Sequence, residues 1–172
     1  MIPTPPDRTE AAEYYYTYID QVSRDGDIRR ILEAQLGDLV ALLTGVSEEK
    51  SFHRYAPGKW TIREAMSHIN DTERMFTFRA LWFARGFDSP LPSFDQDVAI
   101  TAAKADERTL GAHVEEFRAI RAATVHFFDG LPDEAWSRRG IASGNPFSVR
   151  ALAYITAGHV QHHLTILTQR YL

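Results

Sequence analysis

The chain has 172 residues and a mass of 19.5 kDa, the size of one ordinary domain, with 19 basic and 23 acidic side chains and a net charge of −4. That balance lacks the basic excess with which nucleic-acid binders neutralise phosphates, so no nucleic-acid partner is expected. Cysteine is absent, which removes disulfides, thiolate-bound zinc, iron–sulfur clusters and cysteine nucleophiles together.

The opening MIPTPPDRTE has neither the basic nor the apolar region of a secretory signal. No uncharged apolar run reaches the ~18 residues of a membrane span. A cytoplasmic protein with no membrane partner is the expectation. Residues 1–8, with Pro3, Pro5 and Pro6, read as an extended arm of a single helical domain spanning 1–172.

Thr9 to Val22 reads as a short helix. Its Tyr14, Tyr15, Tyr16 and Tyr18 cannot share one side, so part of that aromatic surface is expected to cover a groove or a partner. After Gly26, Ile28, Ile31, Leu32, Leu36, Leu39, Val40 and Leu43 fall on one helical face that closes before Gly45. Thr61 followed by Glu64 has capping-box spacing and opens a second long helix to about Ala84. From Arg85 to Lys104 the chain shows little period.

A third helix is predicted over Asp106–Asp129, on the stripe Leu110, Val114, Phe117, Ile120 and Thr124. Gly130, Pro132, Gly140, Gly144 and Pro146 mark a second linker with one helical turn at Asp133–Trp136. Ser148 then caps a last helix to Arg170. The fold class is therefore all-α, a four-helix bundle. The first linker is long enough to recross it, which would make the second and third helices parallel and pair the third antiparallel with the fourth.

Three histidines lie in the last helix. His159 and His163 stack one turn apart on the edge of its apolar stripe, while His162 turns away. Buried imidazoles need partners for both nitrogens, and two of them a turn apart commonly share a metal. Bonding to other core polar groups is the alternative. His68, on the buried side of the second helix, is the leading third ligand. It lies about 10 Å from the start of its helix and His163 about 10 Å from the end of its own, so their depths match if the helices are antiparallel.

No HExxH and no ExxH occurs, which excludes zincin and di-iron carboxylate patterns and leaves a mononuclear site. Three neutral imidazoles would leave the 2+ charge uncompensated and positions open, as in catalytic sites. His53, His113, His126 and His162 read as surface or supporting groups.

Trp60-Thr61-Ile62-Arg63-Glu64, His68-Ile69-Asn70-Asp71-Thr72-Glu73, Phe94-Asp95-Gln96-Asp97, and Gly158-His159 with His162-His163 resemble the DinB-like superfamily, which includes YfiT-type metal-dependent hydrolases and bacillithiol transferases. The resemblance runs from about Ile28 to Leu172. It implies an up-down-down-up bundle, often a homodimer, with one divalent metal ion per chain, zinc or nickel, on His68, His159 and His163. It further implies a small-molecule substrate and a low-molecular-weight thiol as cosubstrate, bound as thiolate. A chain without cysteine would then work with a borrowed sulfur. A metal- or ligand-binding bundle without catalysis is the other reading.

Around that site, Asp71 could orient an imidazole or stay a solvated carboxylate. Asp95 and Asp97 could close over the metal as acid–base groups or simply cap a loop. Trp60, Phe76, Phe78, Trp82 and Phe83 read as core or dimer contacts, and Arg79 and Arg150 as salt-bridge partners rather than anion ligands.

Overall fold

The computed structural model describes residues 3–172, so Met1 and Ile2 of the expected arm lie outside the described residues. Its main elements are the short helix α1 (Tyr16–Ile19), α2 (Ile28–Thr44), α3 (Ile62–Ala84), α4 (Gln96–Ala103), α5 (Leu110–Asp129), strands β1 (Arg139–Ala142) and β2 (Asn145–Ser148), and α6 (Val149–Ile166). A 3-10 turn precedes α1 and a π-helical turn, Leu167–Tyr171, follows α6. Among the described residues no helix is long and apolar enough to cross a membrane.

Each long helix starts where a side chain can take over an unpaired amide. Asp27 accepts from Arg29, Thr109 from Ala112 and Ser148 from Ala151. At α3 the capping box is complete: Thr61 Oγ1 accepts from the Glu64 amide at 3.0 Å, and the Thr61 amide donates to Glu64 Oε2 at 2.8 Å.

Hydrogen bonds fix the directions. Asn70 to His113, Arg74 to Glu116 and Thr77 to Thr124 rise together along α3 and α5, so these run parallel. His68 beside His159 and His163 makes α3 and α6 antiparallel. Arg29 near Asp129, with Leu43 near Leu110, makes α2 and α5 antiparallel. This is the expected up-down-down-up bundle. The pairing of α5 with α6 that the linker length allowed is not the one formed: α3 and α2 each pack against both α5 and α6, which occupy opposite corners.

Two apolar clusters fill the bundle. One gathers Leu32, Phe76, Phe128, Leu152 and Ile155; the other gathers Leu39, Ile69, Phe117 and Val160. Between them in sequence, on every long helix, lies a buried polar group: Gln35, Glu73, Arg121 and His159. Arg121 makes a two-pronged ion pair to Glu73 at 2.7 and 2.7 Å and donates to the Leu32 carbonyl at 2.8 Å and to Gln35 at 3.1 Å. Gln35 in turn donates to the Ala157 carbonyl at 2.9 Å.

The connections hold more structure than their glycines and prolines suggested. In the first, Asp95 accepts from the Asp97 and Val98 amides and starts α4, whose one buried side chain is Ile100. The helix expected from Asp106 starts at Leu110, because Ala105–Glu107 form a separate 3-10 turn. In the second, β1 and β2 form a hairpin closed by Ser143 and Gly144, both left-handed at φ 52° and 73°, the two-residue turn whose twist suits antiparallel strands. Leu91 bridges to this hairpin, and Arg79 donates to Pro92 O at 3.1 Å and Ser143 Oγ at 2.8 Å. Arg79 therefore ties the two connections together in place of the expected salt bridge.

The helix expected over Thr9–Val22 is reduced to the 3-10 turn and α1, and the segment runs along α6 from Ser148 and Arg150, beside Glu10, to Gly158 and His162, beside Tyr18. Glu10, buried, accepts from Ser148 Oγ at 2.6 Å and from Arg150 through both carboxylate oxygens. Gly158 sits beneath Tyr18; a Cβ there would lie 2.2 Å from the Tyr18 carbonyl oxygen.

Two outcomes are expected. Burial alone would raise the Glu10 carboxyl, but Arg150, Ser148 and the Asp7 amide outweigh it and hold it down at about 2. Because its folded pKa lies below its ordinary value, its stabilisation is present above about pH 4.5 and is lost as pH falls toward about 2, worth roughly 3 kcal/mol in all. In urea titrations from neutral to acid pH, Glu10→Gln should be less stable at pH 7 and lose correspondingly less on acidification; equal acid sensitivity would remove Glu10 from the account. Gly158→Ala should destabilise by about 1–3 kcal/mol through overpacking, whereas an exposed helical Gly→Ala stabilises by about 1 kcal/mol. Chemical denaturation, with proteolysis in residues 7–22 as a second readout, decides the sign.

Candidate metal centre

His68 lies in the second turn of α3, and His159 and His163 lie one turn apart on the antiparallel α6. All three are buried, at 5, 4 and 8% exposure. The ring of Trp60, next to the α3 cap, lies 4.7 Å from that of His68; Tyr18 and Phe76 present edges to His159 at 5.4 and 5.8 Å.

The three Nε2 atoms turn toward one point. His159 Nε2 is 3.0 Å from His68 Nε2 and 3.1 Å from His163 Nε2. Ligating atoms of just this trio converge closely enough to hold an ion among the described residues. Thr72 sets the tautomer. Its single hydroxyl proton goes to the His68 carbonyl at 2.6 Å, so its oxygen accepts from His159 Nδ1 at 3.3 Å, and His159 Nε2 is left with its lone pair.

One lone pair can receive one proton, so hydrogen bonding cannot satisfy both neighbours that approach His159 Nε2. A cation at the focus accepts all three lone pairs at once. Tetrahedral arms of about 2.0–2.1 Å separate ligand nitrogens by about 3.3–3.4 Å, close to the observed spacing. Burial followed by the charge of His162 pushes His68 down to about 4, and burial with the neighbouring imidazoles pushes His159 and His163 well down. The rings are therefore neutral at physiological pH, the state a metal requires. The residues fit a divalent ion.

A cavity of about 370 Å³ opens onto His68 and His163, and Tyr14, Tyr18, Trp60 and Asp97 are among its walls. His159 lies behind them. Part of the N-terminal aromatic surface does cover a groove: Tyr14 and Tyr18 form one wall.

The expected carboxylates divide. Asp71, three residues beyond His68, turns toward α5, where Glu116 is a charged neighbour; it sits 3.6 Å from Arg74, with burial raising its pKa, and does not line the cavity. Asp95 spends its carboxylate on the α4 cap and does not line it either, whereas Asp97 does. His162, read as a surface or supporting group, is a half-buried part of the wall beside Tyr18, 5.4 Å ring to ring. Thr72 was missed, although its i+4 spacing from His68 was a readable sign of its bond back to that carbonyl. Tyr55 and Tyr171, also in the wall, meet at 4.9 Å from segments with no sequence pattern linking them.

YfiT from Bacillus subtilis, described as a probable metal-dependent hydrolase with an unusual four-helix bundle topology, shares this fold with a TM-score of 0.76 over 98% of this chain and 92% of its own, at 13% identity. Comparison with curated protein sequences gave no match. The family model described as DinB superfamily matches residues 31–167, which contain all four long helices except the first turn of α2 and hold all three histidines. The chain belongs to the DinB superfamily.

Proposed function

We propose that this protein is a mononuclear metal-dependent enzyme in which His68, His159 and His163 hold one zinc or nickel ion and act on a small molecule. The reading rests on the convergence of three buried, neutral Nε2 atoms, two of them on histidines that line an open cavity. The description of YfiT supports the hydrolase form of it. A divalent ion on imidazoles supplies Lewis acidity, polarising a substrate oxygen and acidifying a water or thiol. With no cysteine in the chain, any sulfur nucleophile comes from a cosubstrate such as a low-molecular-weight thiol.

The remaining work falls to named side chains. Thr72 keeps His159 in the ligating tautomer. Trp60 packs on the His68 ring and Tyr18 on the His159 ring, which holds both imidazoles in place. Asp97 is the carboxylate on the cavity wall and takes the proton of the nucleophile. Asp95 is a positioning residue, since capping α4 fixes where Asp97 stands.

Elemental analysis of untagged protein, purified without chelator and reconstituted with zinc or nickel, should give about one ion per chain. His68→Ala, His159→Ala and His163→Ala should each reduce this to near zero with unchanged circular dichroism. Wild-type protein that takes up no zinc, nickel or manganese would overturn the proposal, and a variant that retains the ion would remove its residue from the ligand set.

A further inference from the structure

The aromatic rings around the cavity are not needed to hold a metal. They come from three separate segments: Tyr14 and Tyr18 from the N-terminal segment, Tyr55 and Trp60 from the connection before α3, and Tyr171 from the terminal π-helical turn. Their polar atoms are mostly committed within the protein. The hydroxyls of Tyr14 and Tyr18 meet at 3.0 Å, and that of Tyr171 donates to the Trp60 carbonyl at 2.7 Å. What these residues offer a ligand is ring surface.

The charged groups do not compete with that preference. Lys59 and Asp97 are exposed and of opposite sign, so the mouth favours no net charge. At about 370 Å³ the cavity is near the small end of ligand sites, roughly 300–1,000 Å³, with room for one or two rings. Trp60 joins the two features: it lines the cavity and lies 4.7 Å from His68, so a ring stacked among these walls would carry its substituent to the histidine focus.

We infer that the cavity selects planar aromatic substrates, aryl carbonyl compounds whose ring lies among the tyrosines and Trp60 while the carbonyl oxygen faces His68 and His163. The inference rests on the metal-dependent reading above and adds the substrate class. Ring–ring contacts contribute about 0.5–1.5 kcal/mol beyond burial, or roughly 2- to 13-fold in affinity each.

The test is calorimetric titration of zinc-loaded protein with two metal-chelating probes of matched size, benzohydroxamate and cyclohexanecarbohydroxamate. The planar probe should bind about ten-fold more tightly, and the double variant Tyr14→Leu/Tyr55→Leu should bring the two within about two-fold of each other while retaining zinc. Tyr14 is 63% exposed, so its replacement leaves the core intact; the single variant Tyr14→Leu should already narrow the gap and serves if the double variant does not fold. Equal binding of both probes by the wild type, or a preference unchanged in the variants, would overturn the aromatic selection and leave the metal reading standing. Zinc-loaded protein that binds neither probe would also overturn it, because the focus would then be closed to the cavity. Failure to load zinc at all would instead overturn the metal reading and this inference with it.

Discussion

The ion pair of Arg121 with Glu73 lies at the centre of the molecule, at 0 and 1% side-chain exposure, and the rest of the bundle is arranged so that it can exist. A charge taken so far from water is tolerated only when its partner and remaining donors are satisfied. Separating such a pair leaves an uncompensated charge that costs about 3–5 kcal/mol. Arg121 spends its donors on α3 through Glu73 and on α2 through Leu32 and Gln35, and Gln35 carries the link to α6 at Ala157. One side chain on α5 thus fixes the register of the other three long helices. Arrangements that slide any of them by a turn break the network, although the apolar clusters on either side could repack.

The candidate metal centre sits one step from this network on both of its helices. Thr72, the neighbour of Glu73, holds the His159 ring, and Ala157, which accepts from Gln35, is two residues before His159. The register that pairs the charges is the same one that brings His68 opposite His159 and His163. Dryness follows from the cover: Trp60 over His68, Phe76 and Tyr18 over His159, and a glycine at 158 that lets the Tyr18 backbone come down onto α6. Desolvation keeps the imidazoles neutral, and neutral imidazoles with converging lone pairs are unsatisfied by hydrogen bonds alone. The site is therefore shaped for a cation by the forces that close the core.

Much of this was legible in the sequence where local chemistry decides the outcome. The Thr61–Glu64 box placed α3, the i+4 spacing placed His159 and His163 together, and matching depths put His68 opposite them. What escaped was non-local. The apolar stripe assigned to α5 ran through Val114 and Ile120, whereas the buried face is Leu110, His113, Phe117, Arg121, Thr124 and Phe128; an arginine in that periodic face becomes readable only once its carboxylate partner is known. The hairpin was hidden by Gly140, Gly144 and Pro146, which read as breakers. A Cβ at Gly140 would lie 2.0 Å from the Phe83 ring, so that glycine makes room for a side chain 57 positions earlier in the chain. α4 was missed because its burial rests on Ile100 alone, too little to leave a period.

The central claim is that three imidazoles converge to hold one ion. X-ray absorption at the zinc edge of the loaded protein tests it most directly. The account predicts a shell of nitrogen or oxygen at about 2.0–2.1 Å, with outer-shell scattering from three imidazole rings. A fit requiring fewer than three imidazoles, or zinc bound only by water and carboxylate oxygen, would contradict it.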